Sequence, residues 1–259
     1  MRISSMLLCL ISVCAGAGAL ADSPFDGTWN LNTAKSQLAG DTMTFEDAGS
    51  GTLKYADSSQ TYTFKTDGSS FTTPMGTERT FKKSADGSYT TTNKRNGTLL
   101  STSTWKISAD GNTLKIESKG TKPNGDTFEN STSYARSSPG SGLLGEWKST
   151  KVKLSSPNSL TIQTDSANGV TLTISAIKAT CQAKWDGKDY PPIGPTVADG
   201  LVLALTKTGP QSFKLEQKMK TKVLFIFHYH VAADGKTMTA KGTNGQGKEP
   251  FTEVYEKQT

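Results

Sequence analysis

Polar and apolar side chains alternate in short runs along this chain, and the runs are cut by Asp-Gly, Asn-Gly and Ser-Gly pairs. Thr61-Tyr62-Thr63-Phe64-Lys65 leads to Asp67-Gly68, and Asn112-Thr113-Leu114-Lys115-Ile116-Glu117 follows Asp110-Gly111. Leu160-Thr161-Ile162-Gln163 and Val170-Thr171-Leu172-Thr173-Ile174 repeat the pattern. Successive side chains on a strand point to opposite faces, so a period of two predicts strands with one buried face. The Asp-Gly and Asn-Gly pairs supply the positive φ that tight hairpin turns require. Strand candidates recur about every 10 to 12 residues, the rhythm of an antiparallel barrel or sandwich, and helical periodicity is almost absent.

The chain also repeats itself. Gly27-Thr28-Trp29 matches Gly145-Glu146-Trp147. Phe64–Phe71 matches Ala183–Tyr190, each with Asp-Gly at its centre and a Pro and a Gly following. Ile107–Leu114 matches Val231–Met238, and Ser133-Tyr134-Ala135-Arg136 matches Val254-Tyr255-Glu256-Lys257. The offsets run from about 118 to 124 residues and keep one order, which reads as an internal duplication. Ser137-Ser138-Pro139-Gly140-Ser141-Gly142 between the copies has the composition of a flexible linker. The expected layout is a leader over 1–21, one domain over 22–137, a linker over 138–142 and a second domain over 143–259.

Eight or nine short antiparallel strands in each copy can close on themselves and remove unpaired edges. A barrel has an end to plug, and a large rigid side chain on the first strand does so, with Gly before it where backbones crowd. Gly27-Thr28-Trp29 and Gly145-Glu146-Trp147, each opening a β-rich repeat behind a secretion leader, resemble the opening motif of the lipocalin family. Phe25–Ser36 and Asp186–Pro191 are similar to segments of secreted bacterial lipocalin-like (calycin-type) proteins of unassigned function. The resemblance implies two tandem lipocalin-like antiparallel β-barrels, with Trp29 and Trp147 as plugs. It also implies that a basic residue near each copy's end, Arg136 in the first and Lys257 in the second, packs over that copy's own indole.

The leader expectation rests on Arg2, an apolar and small-residue run, and Ala19-Leu20-Ala21, which together read as a secretory signal with a cleavage site. Cys9 and Cys14 leave with it, so Cys181 stands alone and no intrachain disulfide is expected. Absence of disulfides in a secreted chain of this size points to a bacterial periplasm or exterior. The formal charge of +6 is spread, with Lys82-Lys83 and Lys94-Arg95 the densest spots. Nucleic-acid binding requires a clustered basic stripe, so it is not expected. The apolar run of the leader is too short to span a bilayer.

Candidate chemistry is sparse. His228 and His230 lie two apart in Val223–Val231, and on a strand both rings share a face, as a metal pair requires. Repeat alignment sets Tyr229 on Trp105 and Val231 on Ile107, so Phe225, Phe227, Tyr229 and Val231 are expected inward. Leu224, Ile226, His228 and His230 are then expected outward, as a contact face toward the other domain or a partner. Cys181 reads as a small core residue. Trp185-Asp186-Gly187-Lys188-Asp189-Tyr190-Pro191 reads as a hairpin turn followed by a loop, or as a barrel rim where Trp185 and Tyr190 flank a mouth. Copy one's interior is aromatic and polar, drawing on Tyr62 and Trp105; copy two's is greasier, drawing on Leu172, Leu203, Leu215, Phe227 and Tyr229. No phosphate loop, Gly-x-Ser-x-Gly or His-Glu-x-x-His pattern occurs. The reading is a cofactor-free binder of a small apolar or aromatic molecule, its contacts expected among Trp185, Tyr190, Phe227, Tyr229, Tyr62 and Trp105. The competing reading is a packed interaction module that touches another protein or an envelope polymer; an enzyme is not expected.

Overall fold

The computed structural model describes residues 23–259, so the expected leader, with Cys9 and Cys14, lies outside the described residues. The chain opens with β1 (Gly27–Leu31). Ten strands follow in the first half and its continuation: β2 (Thr42–Asp47), β3 (Thr52–Asp57), β4 (Thr61–Lys65), β5 (Asp67–Thr72), β6 (Glu78–Lys83), β7 (Tyr89–Arg95), β8 (Thr98–Ile107), β9 (Thr113–Thr121), β10 (Thr127–Arg136) and β11 (Gly145–Lys153). The remainder are β12 (Ser159–Thr164), β13 (Gly169–Ile174), β14 (Ala179–Lys184), β15 (Asp186–Tyr190), β16 (Leu201–Gly209), β17 (Ser212–Met219), β18 (Lys222–Val231), β19 (Thr237–Asn244) and β20 (Phe251–Lys257). One 3-10 turn, Ser175–Ile177, interrupts them. No helix among the described residues is long and apolar enough to cross a membrane.

The strands form two ten-stranded antiparallel sheets, each nearly closed into a barrel, so the all-β tandem-barrel expectation holds with a slightly higher strand count. The count rises because one strand in each barrel is bent in two. Only Thr66 separates β4 from β5, and only Trp185 separates β14 from β15. These pairs are the two edges of their sheets, so each barrel closes through the bend. At the bend sit Asp67-Gly68 and Asp186-Gly187, with Gly φ of +91° and +73°. The pairing register slips there, between Asp67 and Ser70 and between Asp186 and Asp189, which makes both sites β-bulges. The Asp carboxylates accept the amides of Ser69 (2.8 Å) and Lys188 (3.0 Å). The hairpin turns expected at both Asp-Gly pairs are therefore corrected to corners inside continuous strands; the same positive φ serves either geometry.

The repeat boundaries are not the barrel boundaries. The first barrel runs β4-β3-β2-β11-β10-β9-β8-β7-β6-β5, and the second β14-β13-β12-β1-β20-β19-β18-β17-β16-β15. β1 pairs with β12 and β20, and β11 pairs with β2 and β10. Each copy's opening strand thus completes the other copy's barrel, and the expected blocks 22–137 and 143–259 are corrected accordingly. One barrel spans residues 42–153 without interruption; the other joins 27–31 to 159–257. The physical reason lies in the segment expected to be a linker. Ser137 donates its amide to Glu146 (2.9 Å), and the Arg136 guanidinium donates to Gly111 (2.7 Å), Leu144 and Gly142 (2.7 Å). The 138–142 segment is a hairpin loop, so β11 folds straight back along β10. That leaves the slot beside β20 to β1, which is fastened there by Ser36 Oγ accepting the Val254 amide (2.9 Å).

Gly-x-Trp can now be explained. Trp29 and Trp147 are fully buried. Each indole donates 2.8 Å to the carbonyl four residues earlier, Phe25 and Leu143, and the side chains of these residues, two before the Gly, are themselves buried. Gly27 and Gly145 adopt φ of +126° and +107°. A Cβ on Gly27 would lie 2.5 Å from Lys257 Cε, and one on Gly145 would lie 3.2 Å from Arg136 Nη1. The glycine makes room for the cation that covers the ring. Arg136 lies over Trp147 at 4.1 Å and Lys257 over Trp29 at 5.3 Å. The cations cap the indoles as expected, but each caps the other copy's Trp, because the opening strands have exchanged.

Candidate functional site

The two interiors differ in filling. In the first barrel, rings meet along the axis: Phe45 and Tyr55 at 5.3 Å, Tyr55 and Tyr62 at 4.9 Å, Phe64 and Phe81 at 4.8 Å, Phe81 and Trp105 at 5.2 Å. Polar groups among them are matched. Arg79 donates to the Tyr62 hydroxyl (2.7 Å) and to Asn93 (2.6 Å), Tyr55 donates to Asp57 (2.7 Å), and the Trp105 indole donates to Thr91 (3.3 Å). Burial raises the Tyr62 hydroxyl pKa above its usual value, with Arg79 pulling the other way. Tyr62 and Trp105, expected ligand contacts, are therefore packed core residues.

The second barrel holds a cavity of about 550 Å³, within the range of small-molecule sites. The repeat explains its origin. β3 pairs with β4 through Leu53–Phe64 and Tyr55–Tyr62, and β13 pairs with β14 through Val170–Ala183 and Leu172–Cys181. Phe45 faces Tyr55 as Ile162 faces Leu172. Four rings of the first barrel, Phe45, Tyr55, Tyr62 and Phe64, are thus replaced in the second by Ile162, Leu172, Cys181 and Ala183. The Arg79–Asn93 pair likewise becomes Leu203–Gln217. Of these replacements, Leu172, Cys181, Leu203 and Gln217 line the cavity, where the first barrel has rings and a guanidinium.

The cavity lies between the plugged end and a mouth. The plug layer contains Trp29, Phe25, Trp185 and Phe213; Trp185 contacts Phe25 at 5.5 Å and Phe213 at 5.1 Å. Trp185, expected at a rim, is corrected to this buried layer: β14 bends there, and the bend turns its ring inward. Tyr190 packs against the same core from its edge, with its hydroxyl donating 3.1 Å to Asp186. Neither Trp185 nor Tyr190 lines the cavity, whereas Phe227 and Tyr229 both do. Thr196, Val197 and Ala198 of the second barrel line the cavity together with Met75 and Arg95 of the first. Arg95 holds the two together, donating to Thr196 O (3.0 Å), Met75 O (2.9 Å) and Thr77 Oγ1 (3.0 Å).

Apolar side chains make up most of the lining, with Asn158, Ser159, Thr180 and Gln217 among the polar ones. The Cys181 thiol hydrogen-bonds to Tyr190 O at 3.7 Å, and burial pushes its pKa up to about 11, so it stays neutral at ordinary pH. Glu253 is the cavity's one carboxyl. It lies in a row with Ala240 and Tyr229 across β20, β19 and β18, and its Oε2 accepts the Tyr255 hydroxyl at 2.6 Å. Burial raises the Glu253 pKa above its ordinary value, against a smaller opposing effect of that hydrogen bond. Sequence reasoning missed Glu253. The signal was present, because Tyr255 aligns with Tyr134 and an inward Tyr255 makes the residue two before it inward as well.

His228 and His230 are exposed, and the His230 ring shares a 2.9 Å hydrogen bond with the Ser212 hydroxyl. No group of three potential metal ligands occurs among the described residues. The expected contact face is not uniform. Leu224 is fully buried, Ile226 is half-buried, and both imidazoles face solvent. Only the Lys222 end of β18 reaches the first barrel, where Lys222 donates to Ser59 O at 2.8 Å.

No known family model matches the chain. No curated protein matches it in sequence. The class rests on the geometry: a tandem pair of antiparallel β-barrels with exchanged opening strands, one packed and one hollow.

Proposed function

We propose that the protein is a lipocalin-like, non-catalytic binder that takes a small apolar or aromatic molecule into its second barrel. The cavity of about 550 Å³ carries the reading. A fold that packs its first barrel with rings has no need to leave the same layer of its second barrel unfilled, and an apolar cavity reached by water favours an apolar guest. Phe227 and Tyr229 are the contacts that remain from the sequence reading, joined by Leu172, Cys181, Leu203 and Leu215. A neutral Cys181 thiol supports binding over nucleophilic chemistry. A secreted or periplasmic site of action is part of the proposal and rests on the character of residues 1–21.

Titration with the neutral apolar fluorophore N-phenyl-1-naphthylamine tests the reading. Saturable binding is expected with one site per chain. Rebuilding the first barrel's packing with Leu172→Tyr and Cys181→Tyr is expected to abolish it while the thermal transition is retained. Binding unaffected by the double substitution places the guest elsewhere, and absence of binding to the wild type refutes the reading. The packed first barrel favours a second role for that half, as a support whose Met75 and Arg95 complete the cavity lining. Native mass spectrometry of protein from its own source identifies a co-purifying guest, if one is carried.

A further inference from the structure

We infer, resting on the binding role proposed above, that the guest is a hydrophobic amine: an apolar body bearing one protonated nitrogen that pairs with Glu253. Four observations carry this. Glu253 is the cavity's one carboxyl, and its surroundings are largely apolar. Its protein partner is the Tyr255 hydroxyl, on Oε2; no ion pair to Glu253 and no hydrogen bond to Oε1 occurs among the described residues. The one cation in the lining, Arg95, spends both terminal nitrogens on three oxygen acceptors and keeps only its Nε without a partner. The fold does not require a carboxyl at this position, because Thr132 occupies the equivalent place in the first barrel, opposite Ile116 as Glu253 is opposite Ala240.

A half-buried carboxylate in an apolar surround without a counter-charge is penalised, and a cation brought in by a guest relieves that cost. Tyr229 and Glu253 flank Ala240 on neighbouring strands, and both line the cavity. The raised pKa of Glu253 fits a carboxyl that lacks such a partner among the protein's own groups. An anionic guest of the same size meets the opposite situation, a like charge in an apolar surround.

Competition against N-phenyl-1-naphthylamine with three guests of one chain length, dodecylamine, dodecanol and dodecanoate, tests this on the full-length protein and on Glu253→Gln. The amine is expected to compete about ten- to hundredfold better than the alcohol, with the carboxylate weakest. In Glu253→Gln that preference is expected to fall to about twofold or less while the fluorophore still binds. Glu253→Thr, which installs the first barrel's residue, gives the same readout should the glutamine variant fail to fold. Equal competition by amine and alcohol, or a preference that survives both substitutions, overturns the amine inference and leaves the binding role standing. A protein that binds neither fluorophore nor any of the three guests overturns both.

Discussion

Glu253 and the Gly-x-Trp pair show two kinds of information at the scale of single residues. Gly27 and Trp29 were legible because the motif is local: an indole, a carbonyl four residues back, and a backbone turn that admits no Cβ. Glu253 was not, because its importance lies in what surrounds it. Its titration gives a clear prediction. The folded-state pKa is raised, so between the usual glutamate value of about 4.3 and the folded value the native state holds more proton than the unfolded chain. Stability contributed by the protonated carboxyl is then lost as pH rises through that window. Other groups lining the cavity stay out of that window: Tyr255 and Tyr229 are shifted further up, and the Cys181 thiol ionises near 11. Urea midpoints for wild type and Glu253→Gln are expected to draw apart as pH rises from about 4 to about 8, with the variant the more stable at the upper end.

At the scale of elements, the alternating runs became strands in nearly every place expected, since period-two burial is a property of the segment itself. The Asp-Gly pairs were harder to assign. A positive-φ glycine after an aspartate that accepts an amide two residues on fits a hairpin turn at Asp110-Gly111 and a strand corner at Asp67-Gly68 or Asp186-Gly187. Only the neighbouring strands decide between them. Gly187→Ala is expected to strain the second barrel's corner, because its φ is +73° and the new Cβ would lie 3.1 Å from Thr206 Oγ1. A loss of about 1 to 2 kcal/mol is expected in denaturant unfolding. Gly76→Ala, at φ +74° with nothing within 4 Å, shares the backbone cost without the contact and serves as the control.

At the scale of the molecule, the exchange of opening strands ties the halves together. Residues 42–153 contain every strand of the first barrel, including its Trp plug and the cation over it. Residues 159–259 lack the strand that carries Trp29. A fragment of residues 37–154 is therefore expected to melt cooperatively, and a fragment of residues 154–259 is not. Adding a synthetic peptide of residues 23–36 is expected to restore a cooperative transition to the second fragment, followed by near-UV circular dichroism. Cooperative melting of 154–259 without the peptide would show that the second barrel closes without β1.

Sequence alone determined what depends on neighbours along the chain: all-β structure, the duplication and the two Gly-x-Trp openings, whereas which cation covers which indole was exchanged by the fold. It also marked the greasier second interior, since Leu172, Leu203 and Leu215 announce their character wherever they pack. Tertiary structure decided what depends on choices among equivalent partners. Both opening strands carry the same motif, so nothing in either one states which barrel it joins; the hairpin of residues 137–144 settles that by geometry. The cavity was equally hidden, because an unfilled volume belongs to no residue. It arises where Leu172 and Cys181 stand in a layer that the first barrel fills with Tyr55 and Tyr62.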